Sequence, residues 1–234
     1  MVSYSYKKPT EKELIVENVE PPELFKMSKA TDITILVGGK ELHFAKFPLT
    51  QGSDVFTQII ENSADQSRLQ IDDVAYKDML MFLECLHPKT FESITDKNLE
   101  PVLAVAHRFK HEGVLKRCEE YIIQQFSFQG SPPDGMYPKY FFHLKVAEKY
   151  GLQNAVQVGV SSRRVKKSYF SSQRGIGELN YILGCKQLKG YEEDYNFQQL
   201  SFETKFYILS TRLKIAEAVI NRDDPYLEKK PSLF

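Results

Sequence analysis

Residues 33–44 constrain this chain more than any other stretch. Ile33, Ile35 and Val37 alternate with Thr34 and Leu36, Gly38-Gly39 interrupts, and Glu41-Leu42-His43-Phe44 follows. Two β-rich runs joined by a glycine pair predict an antiparallel hairpin with a primed turn, since glycine takes positive φ at little cost. A small sheet with an apolar face must be covered by something else. The chain supplies the cover downstream. Ser53 stands ahead of Val55, Phe56, Ile59 and Ile60, a hydroxyl cap before an apolar stripe, which predicts a short helix, and Leu69–Ile71 has room for one more strand.

From Asp73 onward the period becomes helical. Tyr76, Met79, Leu80, Phe82, Leu83 and Leu86 recur at spacings of three and four, with Asp73 as the expected N-cap and His87-Pro88 as the stop. A second helix is expected after Thr95, burying Leu99, Val102, Leu103 and Ala106, and its continuation past Gly113 carries Val114, Leu115, Cys118, Tyr121 and Ile122. The order hairpin, helix, strand, helices predicts an α+β unit over residues 30–125.

Gly130-Ser131-Pro132-Pro133-Asp134-Gly135 breaks both helix and strand, so 126–138 reads as a linker and 1–29 as an arm or tail. Beyond the linker, 139–222 is expected to be helical: a face of Phe141, Leu144, Val146, Ala147 and Tyr150, then helices near 176–188 and 201–220, with 223–234 as a tail. One internal echo links the halves. Val105-Ala106-His107-Arg108-Phe109 with Val114 and Leu115 parallels Val146-Ala147-Glu148-Lys149-Tyr150 with Leu152 and Val156. Two copies are too few for a solenoid, which needs about three, so the echo predicts two similar helical hairpins.

Charge narrows the function. The 234 residues carry 31 Lys+Arg and 31 Asp+Glu, a formal net charge of zero. That balance removes the electrostatic case for a nucleic-acid or membrane-surface protein. Residues 1–22 contain no apolar signal-type region, and no run reaches the ~18 apolar residues of a membrane span. Cys85, Cys118 and Cys185 are too few and too far apart for a disulfide framework, so free thiols in a reducing compartment, cytoplasmic or nuclear, are expected.

Reactive constellations are sparse. His107 and His111 share a helix with Cys118, but His-Arg-Phe-Lys-His lacks a metalloprotease glutamate and sets cations beside any metal, so surface histidines are expected. No phosphate-binding or nucleophile-elbow motif occurs, and neither an enzymatic role nor a cofactor is expected. Arg163, Arg164, Lys166, Lys167 and Arg174 lie in an acid-free segment dotted with serines. It suits a nuclear-import signal, a docking site for an acidic peptide, a nucleic-acid contact of a nuclear transcriptional or chromatin-associated scaffold (the alternative function), or a solvated loop, and phosphorylation of its serines would cancel its charge.

The run Thr31-Asp32-Ile33-Thr34-Ile35-Leu36-Val37, Gly38-Gly39-Lys40, Glu41-Leu42-His43-Phe44-Ala45-Lys46 and Ser53-Asp54-Val55-Phe56 resembles the BTB/POZ domain family. Leu69-Gln70-Ile71-Asp72-Asp73-Val74, Leu86-His87-Pro88, Leu103–Phe109 and Lys116–Tyr121 match its later elements in order. The Leu-His-x-x-Lys and Ser-Asp-x-Phe variants are similar to BTB domains of the MATH-BTB group, although 29 preceding residues are too few for a MATH β-sandwich. Leu200–Lys205 looks like the helical tails that follow such domains.

This resemblance implies a binding module that associates with itself and with a client, and that in many members recruits a cullin scaffold for ubiquitination. In dimer-forming members an acidic residue early in the first strand and a basic residue before the first long helix line the self-association pocket; Asp32 and Lys46 match them here. The same pair also suits a strand-start cap and a solvated lysine. Cullin-binding members often carry a hydrophobic-x-Glu signature in the loop that corresponds to Asn62–Arg68, which lacks it. Ile59-Ile60-Glu61 has the letters but lies on the preceding helix, where both isoleucines are expected in the core.

Overall fold

The computed structural model describes residues 21–127, 139–161 and 194–220. The chain divides into two compact units between Tyr121 and Ile122.

In the first unit the hairpin forms as the alternation requires. Strands β1 (Ile33–Val37) and β2 (Lys40–Phe44) pair antiparallel, with Ile33 opposite Phe44 and Val37 opposite Lys40. Gly38 and Gly39 close the turn at φ 55° and 76°, the primed geometry in which an L side chain would be strained. Strand β3 (Arg68–Ile71) adds parallel to β1, giving the order β2-β1-β3. Ile33, Ile35, Val37, Leu42, Phe44, Leu69 and Ile71 are buried. An exposed Arg68–Glu41 ion pair spans the outer strands at 2.6 Å and contributes little, as solvent-facing pairs do.

Five helices accompany the sheet: α1 (Lys46–Gln51), α2 (Asp54–Glu61), α3 (Tyr76–Leu86), α4 (Leu99–Arg108) and α5 (Glu112–Ser127). Helix α1, six residues long, has no counterpart in the sequence reading. Phe56 stacks on Phe109 with ring centroids 4.2 Å apart, and Phe82 lies 6.2 Å from Phe56, forming the aromatic centre of the core.

The expected Ser53 cap is present and does more than cap. Its hydroxyl oxygen accepts from the Phe56 amide at 3.1 Å and donates to the Phe109 carbonyl. Beside it the Glu112 amide donates to the Gly52 carbonyl at 2.9 Å. The turn between α1 and α2 is thus tied to the turn between α4 and α5 by buried polar bonds, which are costly to leave half made.

His111 completes this junction and corrects the expectation of a surface histidine. It is buried, while His107 is exposed. Its Nε2 is 3.0 Å from the Pro48 carbonyl, and its Nδ1 accepts from the Val114 amide at 3.3 Å. One nitrogen must donate and the other accept, which defines the neutral ring protonated at Nε2. Phe82 meets the ring edge-on at 5.5 Å.

Two further readings change. Asp73 does not cap α3: Ala75 occupies the cap position, and the Asp73 carboxylate pairs with Arg108 at 2.7 Å. Phe25, which the sequence placed in the N-terminal arm, is fully buried, its ring 6.1 Å from Phe44 and 5.9 Å from His87. A short 3-10 turn (Glu23–Phe25) delivers it. Residues 1–20 of that arm lie outside the described part.

The second unit contains α6 (Tyr140–Lys149), α7 (Gln153–Ser161), the four-residue α8 (Tyr195–Gln198) and α9 (Phe202–Ile220). The helix expected near 176–188 and the tail at 223–234 lie outside the described residues. Phe141 of α6 meets Phe197 of α8 edge-on at 5.0 Å.

The echoed segments fold alike. His111 and Leu152 donate to the Ala106 and Ala147 carbonyls at 2.8 and 2.9 Å, Lys110 and Gly151 donate to His107 and Glu148 at 3.3 and 3.1 Å, and both of the latter donors have positive φ. Each is a Schellman ending that turns one helix into the next.

Glu148 fixes α9 from its first turn. The Ser201 amide and hydroxyl donate to its two carboxylate oxygens at 3.0 and 2.7 Å, the Thr204 hydroxyl donates to the same group, and Ser201 caps the Thr204 amide at 3.1 Å. A carboxylate at a helix N-terminus also meets the positive end of the helix dipole. Glu148→Ala is therefore expected to destabilise this unit by about 2 kcal/mol, since bonds to a charged acceptor contribute about 1.5–3. Hydrogen exchange checks it: amides in the first two turns of α9 should lose protection, with Glu148→Gln intermediate.

Candidate interaction surface

Asp32 lies just ahead of β1 and its amide donates to the Phe44 carbonyl at 3.0 Å. Its carboxylate accepts from the Lys46 backbone amide at 2.6 Å. Ala45, the N-cap residue of α1, has no side chain to offer, so Asp32 supplies the cap from fourteen positions away. The sequence-nominated residues are thus brought together, but through the lysine backbone. Ion pairs among the described residues include Glu23–Lys26, Glu41–Arg68 and Asp73–Arg108.

The Lys46 ammonium instead adds to the field around Asp65. The Asp65 carboxyl is held below its ordinary range chiefly by the Ser67 hydroxyl and amide, at 2.5 and 2.8 Å, with Arg68 and Lys46 contributing less. These bonds, with Ser63 donating to the Asp65 and Arg68 carbonyls at 3.1 and 3.4 Å, order the loop between α2 and β3.

Sequence reasoning missed Phe47. It follows Lys46 directly and leaves 68% of its surface exposed, while Leu49 is the buried residue of the same helix. An aromatic ring on a helix too short to bury both residues is the signal that could have marked it. Asp32, Lys46 and Phe47 therefore meet at the start of α1: a capped helix end, a cation and an uncovered apolar ring. Such a combination suits protein contact, where an aromatic anchor supplies the apolar area and charges fix register.

At the end of α2, Ile60 is buried as expected, but Ile59 is only half-buried and Glu61 is exposed. Arg163, Arg164, Lys166 and Lys167 lie outside the described residues. Burial pushes the Cys85 and Cys118 thiols up to about 11 and about 12, which leaves them unreactive near neutrality. Among the described residues no group of three or more His, Cys, Asp or Glu is placed to hold a metal, and no helix is long and apolar enough to cross a membrane.

A family model described as the BTB/POZ domain matches residues 22–126. Residues 22–126 are a BTB/POZ domain. The BTB match covers the three-stranded sheet, helices α1–α4 and all of α5 but its last residue, and its start at residue 22 brings in the buried Phe25. Two Caenorhabditis elegans proteins are similar: BTB and MATH domain-containing protein 36, 28% identical over 114 residues, and BTB and MATH domain-containing protein 15, 25% identical over 134. These matches take in 47% and 56% of this chain but only 34% and 45% of the relatives, so the chain spans less than half the length of either.

Proposed function

We propose that the chain is a non-enzymatic interaction adaptor that self-associates through its BTB unit and delivers a client protein to a cullin-type ubiquitin ligase in the cytoplasm or nucleus. A BTB domain is an interaction module, and the observation that carries the reading is the Asp32–Lys46–Phe47 patch. Its ring is uncovered and follows the Asp32-capped Lys46 directly in the chain, at the helix start where the family resemblance set the self-association pocket. For the cullin, the half-buried Ile59 and exposed Glu61 offer an apolar-x-acid pair on the solvent side of α2, with Ile60 turned into the core.

Two experiments test the halves separately. Asp32→Asn keeps an oxygen for the Lys46 amide but removes the charge, so it should weaken self-association with the melting temperature nearly unchanged; Asp32→Ala should also cost about 0.5–2 kcal/mol of stability through the lost cap. Equal association by wild type and Asp32→Asn would exclude the pocket role and leave only the cap. Purified cullin amino-terminal region should be retained by the immobilised chain and lost on Ile59→Asp with Glu61→Lys. If wild type retains none, the ligase half is wrong.

A further inference from the structure

The start of α9 is fastened twice over. Ser201 supplies an ordinary cap, its hydroxyl oxygen accepting from the Thr204 amide at 3.1 Å. The same hydroxyl donates to Glu148 at 2.7 Å, the Ser201 amide donates to the second carboxylate oxygen at 3.0 Å, and the Thr204 hydroxyl donates to the first. Glu148 belongs to α6, so one carboxylate ties that helix to α9. Behind the tie Thr204 and Ile208 are buried.

The two roles of the Ser201 hydroxyl are separable. As an acceptor it holds the helix start, and as a donor it holds Glu148. A phosphate ester keeps acceptor oxygens but has lost the donor, and it sets a charge of about −1.5 to −2 against the carboxylate. The cap then survives while the tie is lost, because the two anions repel each other over one helix N-terminus. Of the two hydroxyls on Glu148, Thr204 is buried and Ser201 is exposed, so the serine is the one open to an enzyme. Glu203, two residues on, gives it an acidic determinant. Lys205, whose ammonium donates to the Gln198 carbonyl at 2.8 Å, lies one helical turn further and would be drawn to the phosphate, which loosens the joint between α8 and α9 as well.

We propose that Ser201 is a phosphorylation site and that its modification releases α9 from α6. The Ser201 Oγ, losing its proton, attacks the γ-phosphorus of a nucleoside triphosphate held by a protein kinase; the Oγ–P bond forms, the bond from that phosphorus to its bridging oxygen breaks, and the nucleoside diphosphate leaves. Unmodified, the inward side of α9 stays covered. Modified, the helix keeps its cap but lacks the tie, and a helix with little tertiary support is marginal, so its first two turns open.

Hydrogen exchange on the full chain tests it, with phosphoserine incorporated at position 201 during synthesis. Beside Glu148 the phosphate should speed exchange in the first two turns of α9 roughly tenfold, the effect of losing bonds to a charged acceptor. In Glu148→Lys the order should reverse: the unmodified chain has no acceptor at 148 and exchanges fast, and the phosphate pairs with the substituted ammonium and slows exchange again. A phosphate that unsettled the helix by bulk alone would speed exchange in both backgrounds. The full chain recovered from animal cells with phosphatases inhibited should carry phosphate on Ser201 by peptide mass spectrometry. The proposal is overturned if the phosphate beside Glu148 leaves exchange unchanged or slows it, if it speeds exchange equally in Glu148→Lys, or if the recovered chain is unmodified at Ser201.

Discussion

Gly52→Ala is expected to destabilise the BTB unit by about 2–4 kcal/mol, the sum of overpacking and a lost buried hydrogen bond. A methyl group there would sit 2.1 Å from Cε1 and 2.4 Å from Nε2 of His111. The backbone is not the obstacle: Gly52 lies at φ −103°, ψ −1°, a conformation alanine takes readily. The glycine is required because the imidazole occupies the space, and displacing the ring breaks its bonds to Pro48 and Val114. Urea denaturation checks the size. In Gly52→Ala/His111→Ala the clash has no second partner, so the double variant should be less destabilised than the sum of the singles by more than about 1 kcal/mol. Additive losses would mean that the ring is not where the structure places it.

The same junction gives the unit a pH dependence. Burial holds His111 below its ordinary pKa of 6.5, although its hydrogen bond to Pro48 opposes the shift. The unfolded chain therefore takes up a proton that the folded chain resists. Stability is full above pH 6.5 and falls as pH drops from there through the lowered folded value. Protonation would also set an N–H against the Val114 amide. His87, likewise lowered by burial and by Lys89, adds in the same direction. Denaturation midpoints between pH 7.5 and about 5 should decline, and His111→Gln should flatten much of the slope; an unchanged slope in that variant would assign the effect elsewhere.

The second large effect concerns the N-terminal turn. Phe25→Ala should cost about 3–5 kcal/mol, the range for removing a fully buried aromatic side chain. The ring closes the sheet side of the core over Phe44 and His87, so the loss should appear as a lower urea midpoint for the whole BTB unit. A loss below about 1 kcal/mol would show that residues 21–27 are an appendage.

What the sequence could and could not reveal follows from the range of each interaction. The hairpin, its glycine turn, the Ser53 cap, β3 and the paired helix endings were legible because each is written within a few residues of itself. Phe25 was not: one apolar residue in a polar stretch has no period, and its partners are far along the chain. His111 was misread for the same reason. Its neighbours Lys110 and Glu112 are charged and exposed, and the residue that explains it, Gly52, is remote. Asp73 looked like a cap because the reach of Arg108 cannot be seen locally. For the candidate site, the Asp32–Lys46 proximity came from family resemblance, whereas the backbone cap and the exposure of Phe47 emerged only from the fold.

Light scattering on the full chain reads self-association directly. At micromolar concentration the account predicts twice the chain mass, falling to one chain mass when Phe47→Asp is introduced. A single chain mass for the wild type, or a doubled mass that Phe47→Asp leaves untouched, would contradict it.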